Sequence, residues 1–185
     1  EDGMEGEVFS LIGPKRFDAP WKEIEDQGYI APANCFEVRI DLPEEQLMEY
    51  AIADTEDKYR LAASSAMKIP VIRKILAKYP AEPTLVIGQY LDQLHEVAAS
   101  LNAALITGDT PVDTREKLFA EFREGRISVL VVSKVANFSV DLPEASANFY
   151  TLITRDTVDQ DFAQNRQRFL AEQGYAYEIL DVEDI

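Results

Sequence analysis

Apolar and polar residues follow two different periods along this chain, and the changes between them divide it into strands and helices. The alternation in CFEVRI predicts a half-buried strand that begins near Ala33. Pro43 then stands where a first helical residue is favoured, and LPEEQLMEYAIADTEDKYRLAASSA combines an acidic start with a helical apolar stripe. A further helix is predicted from about Lys68 to Lys78, and Pro80 closes it.

From Thr84 onwards, short apolar runs alternate regularly with amphipathic segments. The run TLVIG is almost entirely apolar, which is typical of strands that parallel sheets bury on both faces. The elements predicted after it are a helix at 91–101, a strand at 104–107, a helix at 112–122, a strand at 127–133, a strand at 148–154, a helix at 158–171 and a strand at 177–180. This alternation predicts an α/β fold with three layers, in which helices flank a mostly parallel sheet.

Composition restricts the class of protein. The chain has 185 residues, of which 46% are hydrophobic. It can therefore form one full hydrophobic core and no more than about one large domain. No apolar run approaches the ~20 residues that cross a bilayer, and the lone cysteine, Cys35, fits a reducing cytoplasm. The chain begins at Glu1 without an initiator methionine, so we expect it to be part of a longer protein.

The charge argues against a general affinity for nucleic acid. The net charge is −16, whereas the neutralisation of phosphates requires clustered lysine and arginine. A well-solvated acidic surface is the simplest interpretation.

Three predicted loops are positioned for chemistry. Ligands of parallel sheets bind beyond the carboxyl ends of the strands, and this rule selects residues 88–90, 107–110 and 133–141. These loops carry glycines, amides and small hydroxyls, which suit phosphate and sugar oxygens. The sequence contains no GxxxxGKS/T, GxGxxG or GxSxG motif, and its one histidine, His95, and one cysteine cannot form a zinc site or a histidine-based triad. We therefore expect a domain that holds phosphates without cleaving anything by itself.

Several segments resemble a known family. TGDTPVDTREKLFAEFREGRISVLVVSKVANFSVDLPEA is similar to the second RecA-like domain of superfamily 2 helicases. More narrowly, SKVANFSVDLPEA, the upstream IGPKRFDAPWKEIEDQGYIAPANCFEVRIDLP and the downstream RDTVDQDFAQNRQRFLAEQGYAYEILD resemble the XPB family of DNA repair helicases. The resemblance implies a RecA-like fold, with residues 1–42 as a leading segment and residues 43–185 as the helicase C-terminal domain.

The resemblance also implies a function. The chain is expected to be the C-terminal motor domain of an ATP-dependent 3′–5′ DNA helicase or translocase, acting in nucleotide excision repair or promoter opening. ATP and Mg²⁺ are the implied cofactors, with Mg²⁺ held mainly by an N-terminal RecA-like domain. The implied partners are single-stranded or unwinding double-stranded DNA, that N-terminal domain, and a repair nuclease or repair factor. No catalytic residue is expected in this chain, and the chain alone is expected to be inactive.

For the nucleotide, the resemblance implies contacts from one loop. Asp141 matches the acidic residue that holds the ATP ribose, and Asn137 and Ser139 precede it in the same loop. The wider superfamily places glycine two residues before that aspartate, where this chain has Ser139. An ordinary turn residue is the alternative interpretation of Asp141.

For DNA, the resemblance implies contacts to the sugar-phosphate backbone. The residues that match are Ser133 and Lys134, Thr107 and Gly108, and Arg115. Three alternatives stay open: a structural role for Arg115, a Ser133 hydroxyl that satisfies its own loop, and a solvated Lys134.

The resemblance breaks at one point. In the family, DLPEA is followed by a strand and then by motif VI, a helix whose arginines reach the ATP γ-phosphate. Here Ser146 is followed at once by ANFY, which matches the strand after that helix, so roughly 25–30 residues are missing by ordinary element lengths. Either a disordered segment was omitted, which we favour, or the chain is joined there. The missing arginines and the acidic surface favour a rival function, a non-catalytic RecA-like module that docks a repair factor or nuclease. A translocase acting on RNA or on double strands is a third possibility.

Overall fold

The computed structural model describes residues 19–29, 32–80, 82–134 and 147–185. Its helices are α1 Trp21–Asp26, α2 Glu44–Ile52, α3 Thr55–Ala63, α4 Lys68–Lys78, α5 Leu91–Leu101, α6 Val112–Arg123 and α7 Val158–Glu172. Its strands are β1 Ala33–Ile40, β2 Thr84–Gly88, β3 Ala104–Ile106, β4 Val129–Ser133, β5 Ala147–Thr154 and β6 Tyr177–Asp181. A short 3₁₀ turn, Val182–Asp184, follows β6.

The strands form two sheets of three strands each, in the orders β5-β1-β6 and β2-β4-β3. Every pairing in both sheets is parallel. The α/β prediction with parallel strands is therefore confirmed. The described strands nevertheless form two half-sheets rather than one continuous sheet.

The first half-sheet is built around β1. Val38 and Ile40 are buried on one face, as the alternating pattern predicts, but Cys35 and Glu37 on the other face are buried too. The prediction of a half-buried strand was therefore wrong, because β1 has elements packed on both faces. Residues 33–40, which the sequence-based division places in the leading segment, thus form the central strand of the sheet that also contains β5 and β6.

Helix α1 also packs against the domain, at the end of α7. The Trp21 ring meets the Phe169 ring edge-on, with 5.2 Å between centroids. The backbone N–H of Trp21 donates to Gln173 Oε1 at 3.1 Å. Glu25 in turn accepts a hydrogen bond from the backbone N–H of Ala33 at 3.1 Å. These contacts hold the segment before β1 against the same structural unit.

The second half-sheet, β2-β4-β3, is covered on both faces. One face packs on α6, in a cluster whose buried members are Ile106, Phe119, Phe122, Leu130 and Val132. The other face packs on α4 and α5, in a cluster whose buried members are Ile72, Leu94, Val97, Ala98 and Val131. The even and odd positions of β4 face opposite clusters, which is the strand alternation expected of a layer buried between helices.

Helix α4 connects the two half-sheets. Its Ile72 belongs to the cluster beneath β4, whereas its Val71 and Ile75 pack with Val38 and Ile40 of β1. The apolar stripe that predicted this helix therefore divides between two cores.

Two details differ from the sequence prediction between residues 43 and 63. Pro43 is the N-cap residue of α2 rather than its first helical residue. The predicted continuous helical stretch is broken at Ala53, which is extended, and Asp54 caps α3 by accepting a hydrogen bond from Asp57 N at 2.9 Å. An aspartate that bonds the backbone three residues later is a strong helix start, and it ends the preceding helix.

Strand β2 is less buried than its apolar sequence predicts. None of its residues is fully buried, and Ile87 is 50% exposed. The reason is its position, because among the described strands β2 has a neighbour on one side only.

The described helices are short. The longest, α7, has 15 residues. Within the described ranges, no helix has the length and apolar composition needed to cross a membrane.

Candidate functional site

The carboxyl ends of β2, β3 and β4 lie side by side at one edge of the second half-sheet. Gly88 pairs with Ser133, and Ile106 pairs with Val132, so the three strands end nearly in register. The structure therefore brings together the loops that begin at Gln89, Thr107 and Lys134. This is the arrangement predicted from the strand-end rule.

The loop after β3 is a tight turn closed by its own hydroxyl. The backbone N–H of Thr107 donates to Thr110 Oγ1 at 2.9 Å, and the backbone N–H of Thr110 donates to Thr107 O at 3.3 Å. Gly108 is exposed at its tip, with no heavy atom within 4 Å of the position that a Cβ would occupy. The turn is thus rigid at its base and open at its tip, where a phosphate can approach.

Arg115 holds this turn from helix α6. Its Nη2 lies 3.5 Å from Thr107 O, 3.4 Å from Gly108 O and 3.3 Å from Thr110 O. These contacts are long, but three carbonyls converge on one guanidinium. The structural role left open for Arg115 is the one this geometry supports, and a direct DNA contact stays a prediction.

Ser133 is buried, with 4% of its surface exposed. Among the described residues, its hydroxyl has no hydrogen-bond partner. Buried hydroxyls in proteins usually have one, so this oxygen has unused bonding capacity at the end of β4. The adjacent Lys134 is exposed. Contacts of both residues with a DNA backbone stay predictions.

The three residues predicted to bind the nucleotide, Asn137, Ser139 and Asp141, lie outside the described residues. Their roles stay predictions. Within the described ranges, no group of three histidine, cysteine, aspartate or glutamate side chains is arranged to hold a metal ion.

The turn between α3 and α4 is a feature that sequence reasoning missed. Two consecutive carbonyls at the end of α3 accept hydrogen bonds from different parts of the fold: Thr154 Oγ1 donates to Ala62 O at 2.6 Å, and Gln93 Nε2 donates to Ala63 O at 2.7 Å. The hydroxyls of Ser64 and Ser65, which follow, are buried without a hydrogen-bond partner among the described residues. The only sequence signal for this turn was the Ser-Ser pair between two helices. It was not sufficient, because the residues that bond to the turn come from distant positions in the sequence.

A buried ion pair lies next to this turn. Lys68 Nζ is 2.8 Å from Asp159 Oδ2, and both side chains are largely buried. Burial lowers the pKa of the Lys68 ammonium, and the Asp159 carboxylate opposes that shift. The pair joins the first turn of α4 to the first turn of α7.

At the candidate edge, the described residues carry both positive and negative charge, and Lys134 is an exposed cation. Arg60 is paired with Asp92 at 2.6 Å, and Asp109 and Asp113 are exposed near the Thr107 turn. His95, on α5, is exposed. The mixed charge agrees with the acidic composition and indicates weak electrostatic attraction for nucleic acid.

Comparisons with known proteins identify the family. The chain matches the model of the ERCC3/RAD25/XPB C-terminal helicase family over residues 24–148 and 145–184. It is 54% identical to a Kineococcus radiotolerans protein and 50% identical to a Mycobacterium tuberculosis protein, both named DNA 3′-5′ helicase XPB. Each alignment covers all of this chain but only 39% of the relative. The chain therefore spans about two fifths of the length of these relatives.

The same alignments bear on the break after Ser146. They run over 216 positions, whereas the chain has 185 residues, so 31 positions of the alignment have no residue in this chain. The family match is itself divided at residues 145–148. Both findings support the expectation that a segment of this size is missing there.

Solved structures support the fold. The chain superimposes on Saccharomyces cerevisiae Dbp5 bound to RNA and ADP BeF3 with a TM-score of 0.62, at 11% identity over all of this chain and 50% of that one. It superimposes on T4 UvsW with a TM-score of 0.60, at 10% identity over 81% of this chain and 42% of that one. These likenesses show a RecA-like arrangement of parallel strands flanked by helices. The family match over residues 24–148 and 145–184 shows that this chain belongs to the ERCC3/RAD25/XPB C-terminal helicase family.

Proposed function

We propose that this chain is the C-terminal motor domain of an ATP-dependent 3′–5′ DNA helicase or translocase. The main support is the family match over nearly the whole chain. The loops after β2, β3 and β4 lie at one edge, as a surface that tracks a nucleic-acid backbone requires. ATP and Mg²⁺ are the proposed cofactors, supplied to a cleft that this chain forms only with an N-terminal RecA-like domain.

The proposed role of the described residues is to bind the DNA backbone. Tracking without sequence preference requires contacts to phosphate and sugar rather than to base edges. The open tip at Gly108 and the exposed Lys134 supply such contacts. The Ser133 hydroxyl, which has no hydrogen-bond partner among the described residues, lies beside Lys134 at the end of β4 and is a further candidate. Arg115 is a positioning residue, because it holds the carbonyls of the turn and leaves the tip facing outwards.

No described residue is assigned to ATP. Asp141 is proposed to hold the ribose, with Ser139 and Asn137 beside it. Phosphoryl transfer in such motors depends mainly on positioning and on charge stabilisation, and closure of the two domains couples it to DNA movement. We therefore expect the isolated chain to hydrolyse ATP negligibly, and robust turnover by the purified chain would contradict this.

The proposed cellular role is nucleotide excision repair or promoter opening. A Drosophila melanogaster relative, 29% identical over 97% of this chain and 27% of its own length, is named general transcription and DNA repair factor IIH helicase/translocase subunit XPB. A repair nuclease or another repair factor is a proposed partner.

The test uses a chimaera in which the N-terminal part of the Kineococcus relative precedes this chain. It is prepared with and without the relative's additional segment between Ser146 and Ala147, and ATP hydrolysis is measured with and without single-stranded DNA. We expect DNA-stimulated hydrolysis when the segment is present and little when it is missing. A chimaera that contains the segment, folds and binds ATP, but shows no DNA stimulation, would rule out the motor role.

Two substitutions in that chimaera test the DNA contacts. Ser133→Ala and Lys134→Ala are expected to reduce DNA stimulation severalfold, and Lys134→Ala is expected to reduce the slope of log affinity against log salt by about 1. Lys117→Ala, which removes another exposed lysine, on α6, is the matched control. Equal effects of Lys117→Ala and Lys134→Ala would mean that only overall charge matters.

A second candidate function is a non-catalytic RecA-like module that docks a repair factor or nuclease. The net charge of −16 favours it. Under this alternative, the chimaera without the segment is already functional. Ser133→Ala is then expected to have no effect on repair in cells whose only copy of the protein is this chimaera. Loss of repair in cells that carry Ser133→Ala would favour the motor.

A further inference from the structure

Helix α2 carries an apolar stripe that is open to solvent. Its members stand at positions i, i+1, i+4 and i+5 of the helix: Leu47, Met48, Ala51 and Ile52. This spacing places all four side chains on one helix face. All four are exposed, and the exposed fraction reaches 75% at Met48 and 89% at Ile52. A face of this composition ordinarily packs against a core, but no residue of α2 is buried.

The fold holds α2 by the opposite face. Tyr50 is half-buried, and its hydroxyl accepts a hydrogen bond from the backbone N–H of Val158, at the start of α7, at 2.8 Å. At 3.6 residues per turn, the Tyr50 side chain points about 160° away from those of Met48 and Ile52. The apolar stripe therefore faces away from the structural unit on which α2 rests.

Acidic residues border the apolar stripe. Glu45 and Glu49 stand three residues before Met48 and Ile52, so each carboxylate is a neighbour of one of these side chains on the helix surface. Three more exposed acidic residues follow at the start of α3: Asp54, Glu56 and Asp57. Carboxylates thus lie along one side of the stripe and beyond its carboxyl end.

Little positive charge compensates these carboxylates. Residues 43–63 contain six acidic and two basic residues, which gives a net charge of −4. The two basic residues are directed elsewhere: the Lys58 ammonium lies 5.6 Å from the centre of the Tyr50 ring, and Arg60 pairs with Asp92 on α5. The surface around the stripe is therefore acidic.

The charge around the stripe selects its occupant. A second copy of the chain would bring two acidic borders together, and the net charge of −16 opposes such self-association. The phosphates of nucleic acid are repelled in the same way. A helix with apolar residues on one face and lysine or arginine beside them is complementary both to the stripe and to its border.

We propose that the outer face of α2, residues 44–52, docks a basic amphipathic helix of another polypeptide. Leu47, Met48 and Ile52 receive its apolar side chains, and Glu45 and Glu49 pair with its cations. Methionine is well suited to such a surface, because its flexible side chain adapts to the partner. The face spans only about two and a half turns, so the complex belongs to the weak, transient class, with a dissociation constant of about 10–100 µM.

This docking requires neither ATP nor DNA, so it can be tested apart from the proposed function. The probe is a synthetic peptide of about 18 residues, long enough to form a helix, with leucine along one face and lysine along the other. One control peptide has the same composition in scrambled order, and a second has glutamate in place of lysine. Binding to the 185-residue chain is measured by calorimetry, and hydrogen exchange locates it.

We expect saturable binding of the leucine–lysine peptide and at least about tenfold weaker binding of both controls. The amides of residues 44–52 should exchange about tenfold more slowly when the peptide is bound. The chimaera with the N-terminal part of the Kineococcus relative should bind the peptide with the same affinity as this chain does.

Neutral substitutions test the apolar contact. Met48→Gln and Ile52→Gln leave the charge unchanged and are each expected to raise the dissociation constant about fivefold or more. Val112→Gln, at the exposed start of α6, is the matched control, because Val112 is 64% exposed. It is expected to change the dissociation constant less than about twofold.

Charge substitutions test the acidic border. Glu45→Gln and Glu49→Gln, combined in one variant, are expected to weaken binding about fivefold at low ionic strength and less at about 0.5 M salt. Glu116→Gln, which removes an exposed carboxylate of α6, is the control and should change binding less than about twofold.

Four results would overturn the proposal. The first is equal binding of the leucine–lysine peptide and its scrambled form, or no binding of either. The second is an effect of Met48→Gln and Ile52→Gln no larger than that of Val112→Gln. The third is loss of binding in the chimaera, because the N-terminal part of the protein would then cover α2. The fourth is self-association of the chain that Ile52→Gln abolishes, because a second copy would then occupy the stripe.

Discussion

Leu94 packs so close to Gly88 that position 88 has no room for a side chain. A Cβ at this position would lie 2.7 Å from Leu94 Cδ2 and 3.3 Å from Leu94 Cγ, and Leu94 is buried in the cluster beneath β4. We expect Gly88→Ala to lower the free energy of unfolding by about 1–3 kcal/mol, because Leu94 must leave its packed position. Urea unfolding followed by circular dichroism measures this.

Gly108→Ala is the matched control, since nothing lies within 4 Å of the added methyl group. It is expected to change stability by less than about 0.5 kcal/mol. A similar loss in both variants would mean that Leu94 packing is not the cause.

Tyr177 is expected to make stability depend on alkaline pH. Burial, and then the nearby Glu37 carboxylate, raise the pKa of Tyr177 to about 12, and the Tyr177 hydroxyl donates to Glu37 Oε2 at 3.2 Å. A raised pKa means that the folded chain retains a proton that the unfolded chain releases near pH 10. The contribution of Tyr177 to stability is thus complete below about pH 10 and is lost between about pH 10 and 12.

Tyr177→Phe removes this contribution. The variant is expected to lose about 1–3 kcal/mol at neutral pH, because a buried carboxylate loses a donor. Its stability should then fall less steeply than that of the parent chain between about pH 10 and pH 12 in urea unfolding. Parallel pH profiles for the two proteins would contradict this.

At the scale of elements, the start of α7 is fixed by a group of polar contacts. Asp159 Oδ2 accepts hydrogen bonds from Lys68 Nζ and from the backbone N–H of Thr154. Thr157 caps the helix and donates to Thr154 O at 2.7 Å. These bonds attach α4 and α7 to the end of β5.

Lys68→Met is expected to cost about 2–4 kcal/mol, because it leaves a largely buried carboxylate without its counter-ion. The remaining bond from the backbone N–H of Thr154 limits the loss. Lys78→Met, in the exposed last turn of the same helix, is the control and should cost less than about 0.5 kcal/mol. If Lys68→Met is neutral in thermal unfolding, the pair does not hold the two helices together.

The sequence predicted most elements after Thr84 because their signals are local. The spacing of apolar residues, together with the positions of glycine and proline, predicts each of these elements to within about two residues of its observed bounds. The break at Ala53 was missed because the apolar stripe continues across it, although Asp54 carried a capping signal. The division into two half-sheets could not be predicted from pattern, because pairing depends on which strand lies between two others.

For the candidate site too, the local features were predictable from the sequence and the long-range contacts were not. Strand ends alone located the Thr107 turn and Ser133. The role of Arg115 depends on three carbonyls that converge in space. Likewise, the Ser64-Ser65 turn gains its meaning only from Gln93 and Thr154, which are distant in sequence.

At the scale of the whole molecule, α4 determines whether the half-sheets unfold together. Ile72 packs in one core and Ile75 in the other. A substitution at either residue should therefore destabilise both half-sheets. We expect one cooperative transition rather than two.

Cys35 gives a direct measure of this cooperativity. It is the only cysteine of the chain, and it is buried in the central strand of the first half-sheet. A thiol reagent therefore reacts only when that strand is exposed, and the labelling rate reports the free energy of opening there. With coupled half-sheets, Ile72→Ala should speed labelling of Cys35 about as much as Ile75→Ala does. Acceleration by Ile75→Ala alone would show that the two halves open independently. One native buried thiol thus reports the mechanical connection between the two halves, and no residue has to be substituted to introduce a labelling site.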